Sequence, residues 1–435
     1  MSQKPSLKEA FLFWLKLGFI SFGGPAGQIA IMHEFLVEKK RWISESRFLH
    51  GLNYCMLLPG PEAQQLATYS GWLLHGVRGG LIAGILFVLP SVFILLALSI
   101  LYVSFGSIPF VYALFSGLKP AVVAIIFLAL IKIAKRSLLS FLHYMLAVSS
   151  FIALFFFNVP FPLIILSAIL VAIVCLRFFP QLLHGPPDEQ KKSKEEGYCI
   201  NANTVIPFAG FSWLRVFKQV LTGLLLWLLP FVLFYFFIVD TVFWNSLSVF
   251  FTKAALVTFG GAYSVLPYVA QVSVEKFHWL NSMQMIDGLA LGESTPGPLI
   301  MVLAFVGFMG GYNHYNASLL FGTVGLLTTV WFTFLPCFLF IFIGAPIIER
   351  TQHNLKIKSL LSIVSAAVVG VILNLSVYLA KTVIFPKGLA FASVSWFDLA
   401  WLLLSLFMLY RFKINMILWI AVSALAGLGY YLVFA

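Results

Sequence analysis

A Pro-Gly-Pro triplet occurs twice in this chain, each time inside an apolar stretch. The first copy, Pro59-Gly60-Pro61, precedes Glu62, and the second copy, Pro296-Gly297-Pro298, follows shortly after Glu293. Because proline removes a backbone donor and clashes with the preceding turn, each triplet should break a helix. A helix that resumes at Pro61 would point its first N–H groups, with about half a positive charge, at the break. Two such helix ends predict an anion site.

The alternative interpretation is a kink that only lets neighbouring helices pack, which is a common use of Pro and Gly in membranes. A break at membrane depth leaves backbone groups unpaired, at several kcal/mol each unless protein or a water-filled cavity satisfies them. The break must therefore line something. Two matched copies favour the site over the kink.

Ionisable residues near the breaks are candidates for proton transfer. A charge at the bilayer centre costs about 2.5–3.5 kcal/mol, so Glu62 and Glu293 are predicted to carry protons. His50 and Asp287 occupy equivalent positions at the edge of the broken segments, where solvation at the membrane interface is the favoured interpretation.

Further polar or flexible residues flank the breaks or end the first segment of each half, in "SFGGP" and "TFGGA". Each Gly-Gly pair permits close backbone approach or a turn with positive φ, which suits either a second half-helix end or a packing notch. Two matched lysines lie inside apolar runs, where they face the site, snorkel or pair with a carboxylate. The predicted substrate-binding residues outside the triplets are Lys16, Ser21, Gly23, Gly24, Gln28, Gln65, Lys253, Thr258, Gly260, Gly261, Ser294 and Thr295.

The composition shows where these residues must lie. The chain has 435 residues, of which 61% are hydrophobic and only 10% charged, whereas soluble domains carry about 25% charged residues. This indicates an all-α polytopic membrane protein. Basic residues cluster in short loops, as membrane orientation requires, so the net charge of +12 does not indicate nucleic-acid binding. The four cysteines form neither a disulfide framework nor a metal-ligand pattern.

Apolar segments fall into two related sets of six, with one extra segment between them. The sequence "FWLKLGFISFGGP" from Phe13 aligns with "FFTKAALVTFGGA" from Phe250, and without a gap the same alignment pairs the two triplets. Farther along, where Pro90 matches Pro336, the offset between the two copies is larger. Shared Gly-Gly, Trp and Pro-Gly-Pro in one register indicate an internal duplication.

An odd number of crossings before the second set would invert it relative to the first, as in many secondary transporters. We therefore predict two inverted-topology repeats of about six segments, with broken or re-entrant helices at the triplets. The expected organisation is a first repeat over 1–180, a cytoplasmic linker over 181–214, a linking transmembrane helix over 215–240 and a second repeat over 241–435. The loop "EKKRWISESR" fits the cytoplasmic side only if the first two segments of each repeat re-enter.

The pattern "FGGP…QIA…W…LLPGPEAQQLA…GW…G…GG…F.LP", from Phe22 to Pro90, resembles the chromate ion transporter family. The echo "TFGGAYSVLPYV…W…GLALGESTPGPL", from Thr258 to Leu299, resembles the second half of its long-chain, two-domain members. The resemblance implies efflux of chromate across the bacterial plasma membrane, coupled to protons and conferring resistance. The second copy departs from the first at Ala262 and Leu299, so the halves are expected to do unequal work.

The expected partners are chromate or a similar oxyanion, protons and the lipid bilayer, without cofactor, metal or nucleic acid, and a homodimer is left open. The nearest alternative is a transporter for another tetrahedral oxyanion such as sulfate. A more distant alternative is a membrane-embedded enzyme acting on lipid phosphates, with His50, Glu62 and Arg78 in one pocket. A passive channel is a further alternative.

Overall fold

The computed structural model describes residues 4–22, 24–106, 108–178, 197–201, 204–206, 210, 212–238, 240–259, 261–348, 355–386, 388 and 390–434. These residues are almost entirely helical, which confirms the all-α prediction. The α-helices in chain order are α1 (Leu7–Ile20), α2 (Gly24–His33), α3 (Glu45–Cys55), α4 (Glu62–Phe105), α5 (Pro109–Ser137), α6 (Phe141–Phe155), α7 (Phe161–Phe178), α8 (Trp213–Phe237), α9 (Thr241–Leu256), α10 (Ala262–Gln271), α11 (Ser282–Ser294), α12 (Val302–His314), α13 (Leu319–Ile348), α14 (Leu355–Ile384), α15 (Trp396–Arg411) and α16 (Met416–Phe434).

The chain begins with a helical hairpin made of α1 and α2. A π-helical turn, Glu34–Lys39, extends α2. The Phe13 ring lies 5.0 Å from that of Trp42, and Lys40 Nζ lies 3.1 Å from Glu9 Oε1, so the two arms are antiparallel. With 14 residues, α1 is about 21 Å long, which is shorter than the hydrocarbon core of about 30 Å. The chain therefore turns back after Ile20 without having crossed a bilayer thickness.

A second hairpin follows, with the first Pro-Gly-Pro triplet at its tip. Its arms are α3 and the beginning of α4, and Gly51 of α3 packs directly on the Tyr69 ring. Residues His75 and Gly76 leave the helical conformation, with φ of −135° and +63°, and the backbones of Gly71 and Gly79 touch. The chain thus reverses at Gly76, and the apolar stretch 50–76 consists of two short helices rather than one spanning helix.

The second half repeats both hairpins. In the first, α9 lies against α10 and the residues after it, with the Phe250 ring 5.4 Å from Tyr268 and 5.5 Å from Trp279. In the second, Gly288 of α11 packs on Phe305 of α12, just as Gly51 packs on Tyr69. A longer turn then leads from α12 into α13, and this turn accounts for the larger sequence offset beyond it.

Long helices surround the four hairpins and exchange contacts between the halves. Helices α6 and α7 pack on α14, whereas α15 and α16 pack on α5. Among the described residues, seven helices are long and apolar enough to cross a membrane. Helix α8 buries only Gly223 and Phe234 and exposes rings such as Phe236, as a lipid-facing helix should. The protein is a polytopic membrane protein.

Residues 197–201, in the second part of the predicted linker, pack on the loop between the first two hairpins. Ser44 N–H donates to Ile200 O at 2.8 Å, and Cys199 N–H donates to Arg41 O at 3.1 Å. The Arg47 guanidinium donates to Asn201 O at 3.0 Å. The "EKKRWISESR" loop and residues 197–201 therefore lie on the same side of the molecule.

Candidate functional site

The tips of the four hairpins meet at the centre of the molecule through two reciprocal hydrogen bonds. Gly60 N–H, in the first triplet, donates to Thr258 O at 2.7 Å, and Gly297 N–H, in the second triplet, donates to Ser21 O at 2.8 Å. Each bond joins the triplet of one half to the Gly-Gly tip of the other half. The two donors correspond in the aligned repeats, and so do the two acceptors. The structure therefore brings the two predicted motif pairs together.

The triplet glycines hold a backbone conformation that only glycine adopts readily. The φ angles are +122° at Gly60 and +100° at Gly297. A β-carbon at Gly60 would lie 2.7 Å from Cys337 Sγ, and one at Gly297 would lie 2.7 Å from Ser91 Cβ. Such distances are well inside van der Waals contact. Both glycines are thus required for conformation and for close approach.

The residues packed on the triplet glycines also correspond between the halves. Ser91 follows Pro90 in α4, and Cys337 follows Pro336 in α13. Each lies in the opposite half from the glycine it covers. The two long proline-containing helices therefore support the tips from behind.

The four predicted hydroxyl ligands all satisfy carbonyls of their own helices. Ser21 Oγ donates to Leu17 O and Thr258 Oγ1 to Ala254 O, each at 2.6 Å. In the second half, the hydroxyls of Ser294 and Thr295 donate in the same way at 2.9 and 3.0 Å. At Ser21 and Thr258 it is the backbone carbonyl, rather than the hydroxyl, that reaches the opposite half.

Glu62 lies beside a glycine turn of the opposite half, and Glu293 contacts a tyrosine that does. Glu62 Oε1 is 3.8 Å from the position a β-carbon would take at Gly261. Glu293 is 4% exposed and accepts a hydrogen bond from the Tyr263 hydroxyl at 2.8 Å. That hydroxyl is 3.9 Å from the β-carbon position of Gly24. Each acid is thus placed where the two halves meet.

Buried glutamine amides complete the polar surroundings of the two triplets. Gln65 Nε2 donates to Pro59 O at 2.7 Å, and Gln28 Nε2 donates to Gly297 O across the two halves. The amide oxygens of Gln28, Gln64 and Gln65 are buried without a hydrogen-bond partner among the described residues. Buried polar atoms are normally paired, so these oxygens identify a polar site rather than an apolar core.

The helix after the first triplet begins one residue later than predicted. Pro61 is the N-cap, with extended φ and ψ of −73° and 106°, and Glu62 is the first helical residue. The N–H groups of the first turn of a helix have no acceptor within it. After the second triplet a 3₁₀ turn, Leu299–Met301, precedes α12, and its three residues are buried and apolar. The helix beginnings after the two triplets therefore differ. The sequence indicates this difference, because Leu299 stands at the position that corresponds to Glu62.

Several predicted residues lie elsewhere. Lys16 and Lys253 are exposed, and Lys16 Nζ lies over the Phe35 ring at 5.8 Å. The structure does not bring these two lysines to the hairpin tips, because their helix faces point outward. Gly23 and Gly260 lie outside the described residues.

Two interpretations of charged residues are wrong. The trio of His50, Glu62 and Arg78 shares no pocket, because Arg78 is exposed beyond the far end of a helical arm about 18 Å long that begins at Glu62. Asp287 is not solvated at a membrane interface; it is 5% exposed and faces Lys119. Among the described residues, no three His, Cys, Asp or Glu side chains are grouped to hold a metal ion.

Sequence reasoning assigned no site role to two residues that approach Glu62 and Glu293. Arg136, at the end of α5, lies within electrostatic reach of Glu62 and donates to Met56 Sδ at 3.3 Å. It lines a cavity of about 480 Å³ with His33 and other residues. Tyr263 directly follows the "TFGGA" motif, so its place in the motif was the available indication. For Arg136, the sequence indicated only a basic residue near a loop.

The chain is similar to a known protein family and to several individual proteins. The chromate transporter family model matches the chain twice, over residues 8–173 and 244–428. The chain is 30% identical to the chromate transport protein of Cupriavidus metallidurans, over 86% of this chain and 83% of that protein. It is 29% identical to the probable chromate transport protein of Synechococcus elongatus, over 86% and 85%. It is also 29% identical to the chromate transport protein of Pseudomonas aeruginosa, over 97% and 92%. No solved structure matches the chain.

Proposed function

The chain belongs to the chromate transporter family as a long, two-domain member, and from this we propose that it exports chromate across the bacterial plasma membrane, coupled to protons and conferring chromate resistance. The chromate substrate follows the names of its relatives. The single observation that carries the mechanism is the pair of reciprocal bonds, Gly60 to Thr258 and Gly297 to Ser21. They connect the hairpin tips of one half to the hairpin tips of the other half at the centre of the molecule.

In the proposed mechanism the two halves are inverted repeats that rock against each other. The hairpins re-enter the membrane from opposite sides, and the long helices cross it. Opening toward one side breaks one or both tip bonds, which frees the N–H groups of Gly60 and Gly297. These donors, together with the first-turn N–H groups after Pro61, then bind the oxyanion. Backbone N–H groups at helix N-termini are well suited to anions.

Protons enter the mechanism because two carboxyl groups flank this site. An ionised Glu62 or Glu293 would repel a dianion at close range in a medium of low dielectric. The two acids therefore take up protons when the oxyanion binds and release them when it leaves. Tyr263 keeps Glu293 in place through its 2.8 Å hydrogen bond, and Arg136 attracts the anion toward Glu62.

The proposed orientation follows the charges. The loop that contains Lys39 and Lys40, the linker residues 197–201 that pack on it and the basic end of α5 are cytoplasmic, as positively charged loops are in most membrane proteins. Both re-entrant hairpins of the first repeat then open from the cytoplasm. The hairpins of the second repeat open from the opposite side.

Uptake into vesicles reconstituted with the purified protein in the inverted orientation tests the proposal. Vesicles that contain the purified protein should accumulate chromate against its gradient when a proton gradient is imposed, and a protonophore should abolish this. Sulfate, molybdate and phosphate are added as competitors. Stronger competition by sulfate than by unlabelled chromate would make sulfate the substrate. Movement only down the gradient would identify a channel, and hydrolysis of a lipid phosphate without oxyanion movement would identify an enzyme.

A further inference from the structure

A polar cavity lies away from the hairpin tips, where the ends of α4 and α12 meet the beginnings of α5 and α11. Its volume is about 330 Å³, which is far more than one water molecule requires. Three of its lining residues, Tyr112, Asn281 and Asn313, are exposed. The cavity therefore opens at the surface next to the loop that follows Gly106.

A buried ion pair lies at the inner end of this cavity. Lys119 and Asp287 are 6% and 5% exposed, and Lys119 Nζ lies 3.6 Å from Asp287 Oδ1. That distance is too long for a hydrogen bond. Lys119 Nζ also lies 5.2 Å from the centre of the Tyr112 ring. The ammonium group thus contacts its carboxylate loosely and borders an open, polar space.

Stability does not explain this pair. Burying two charges costs several kcal/mol in desolvation, and well-packed apolar residues are often as stable as a buried ion pair. The cost is highest when the geometry is poor, as it is here at 3.6 Å. A function for the charged groups is therefore the better explanation.

The pair joins the two halves, and the corresponding positions of the other copies do not repeat it. The register that pairs the two triplets puts His50 at the position of Asp287, and the register that pairs Pro90 with Pro336 puts Ser365 at the position of Lys119. A buried cation that faces a cavity is thus present at only one of these two corresponding positions, at Lys119 and not at Ser365. The basic end of α5 lies about 25 Å farther along the helix from Lys119, so the cavity opens opposite the proposed cytoplasmic loops.

We propose that this cavity is a second oxyanion-binding position, in which Lys119 leaves Asp287 and binds the anion on its way to or from the hairpin tips. The inference rests on the proposed function. Lysine suits this role because its charge sits on a flexible stem with three donors. A dianion attracts the ammonium group about twice as strongly as a carboxylate does at the same distance.

The surrounding groups allow this exchange. The Tyr102 hydroxyl donates to Asp287 Oδ2 at 2.9 Å, so Asp287 keeps one partner after Lys119 has left. Asp398 of α15 lies within electrostatic reach of Lys119, so a second carboxylate also attracts the ammonium group. Asp287 and Glu293 are six residues apart on α11, or about 9 Å, so the helix connects the cavity with the hairpin tips.

The test uses two changes with opposite expected effects. Lys119→Met combined with Asp287→Asn removes both charges, and it should raise the KM for chromate offered on the cavity side by about tenfold while kcat stays nearly unchanged. Asp287→Asn alone removes the competitor for Lys119, and it should lower the same KM. Lys119→Arg should keep the KM near the wild-type value. Ser365→Ala, at the matching position of the other half, is the control.

Sidedness separates a binding position from a structural role. Transport is measured in right-side-out and inverted vesicles, and only chromate offered on the cavity side should show the altered KM. An unchanged KM in folded variants, or an equal rise from both sides, would overturn the inference. If Asp287→Asn raises the KM, as loss of a structural ion pair would, the inference also fails. A wild-type protein that moves no oxyanion would instead refute the proposed function itself.

Discussion

The backbone N–H of Gly60 lies 2.7 Å from the carbonyl oxygen of Thr258, which joins two hairpin tips that are far apart in the chain. The matching contact between Gly297 and Ser21 is 2.8 Å long. Each bond uses only backbone atoms, so it does not depend on the side chains of Thr258 and Ser21. In the proposed alternating-access cycle, movement of one half against the other would lengthen these contacts.

The first prediction concerns the Gly60 position. Gly60→Ala should lower the melting temperature and abolish transport, because a β-carbon would clash with Cys337 Sγ and residue 60 has φ of +122°. The strain of positive φ alone costs about 1–3 kcal/mol. Thermal unfolding of the purified variant and chromate uptake into vesicles measure the two effects.

A matched control separates backbone strain from the clash. Gly388 has φ of +106°, and none of the described residues lies within 4 Å of its β-carbon position. Gly388→Ala should therefore show the strain alone and retain transport. Equal losses of transport in the two variants would contradict the assigned role of the tip contact.

The second prediction separates the helix break from the glycine. Pro59→Ala combined with Pro61→Ala should let α3 run on toward α4 and remove the exposed first-turn N–H groups. Export should fall to background while the protein still inserts in the membrane. Pro296→Ala with Pro298→Ala tests the matching triplet, whose following turn is apolar and buried. Near-normal export by a well-expressed Pro59/Pro61 variant would show that the triplet is only a kink that lets neighbouring helices pack.

The third prediction concerns Glu62. Glu62→Gln mimics the protonated carboxyl group, so the variant should still bind oxyanion but lose the pH dependence of transport. Glu293→Gln is the companion variant, in which the Tyr263 hydrogen bond at 2.8 Å can persist to the amide oxygen. Binding and proton-linked flux are measured on each purified variant.

A structural role for Glu62 would give a different result. If the carboxylate only caps its helix or pairs with Arg136, Glu62→Gln should reduce expression or thermal stability. The remaining transport would then keep the wild-type pH profile. An intact profile would remove Glu62 from proton coupling.

The fourth prediction concerns topology. If all four hairpins re-enter, nine of the thirteen apolar segments would cross, including the shorter helices α6 and α15. Four crossings would precede the linker and keep it in the cytoplasm, and five would follow it and put the chain end in the periplasm. A reporter fused after Ala435 should therefore be active only if it works in the periplasm, whereas one inserted near Pro186 should require the cytoplasm. A fusion at Ala435 that works only in the cytoplasm would exclude the inverted arrangement.

The sequence alone determined the fold class, the duplication and the broken helices. Hydropathy is decisive because the bilayer demands long apolar segments whose backbone groups are paired internally. The triplets at Pro59 and Pro296 were readable because proline cannot continue a helix. The gap-free register over the first part of the two copies also predicted which motifs would correspond, since rare residue types in one register do not recur by chance.

Only the tertiary structure decided which atoms meet. It joined the first triplet to Thr258 and the second to Ser21, used the serine and threonine hydroxyls within their own helices, and left Lys16 and Lys253 exposed. It also placed Asp287 against Lys119, from a helix in the other half. Sequence spacing gives the face of a helix but not its neighbours across the molecule. Those neighbours depend on how the hairpins of the two halves pack, and that packing is a property of the whole chain.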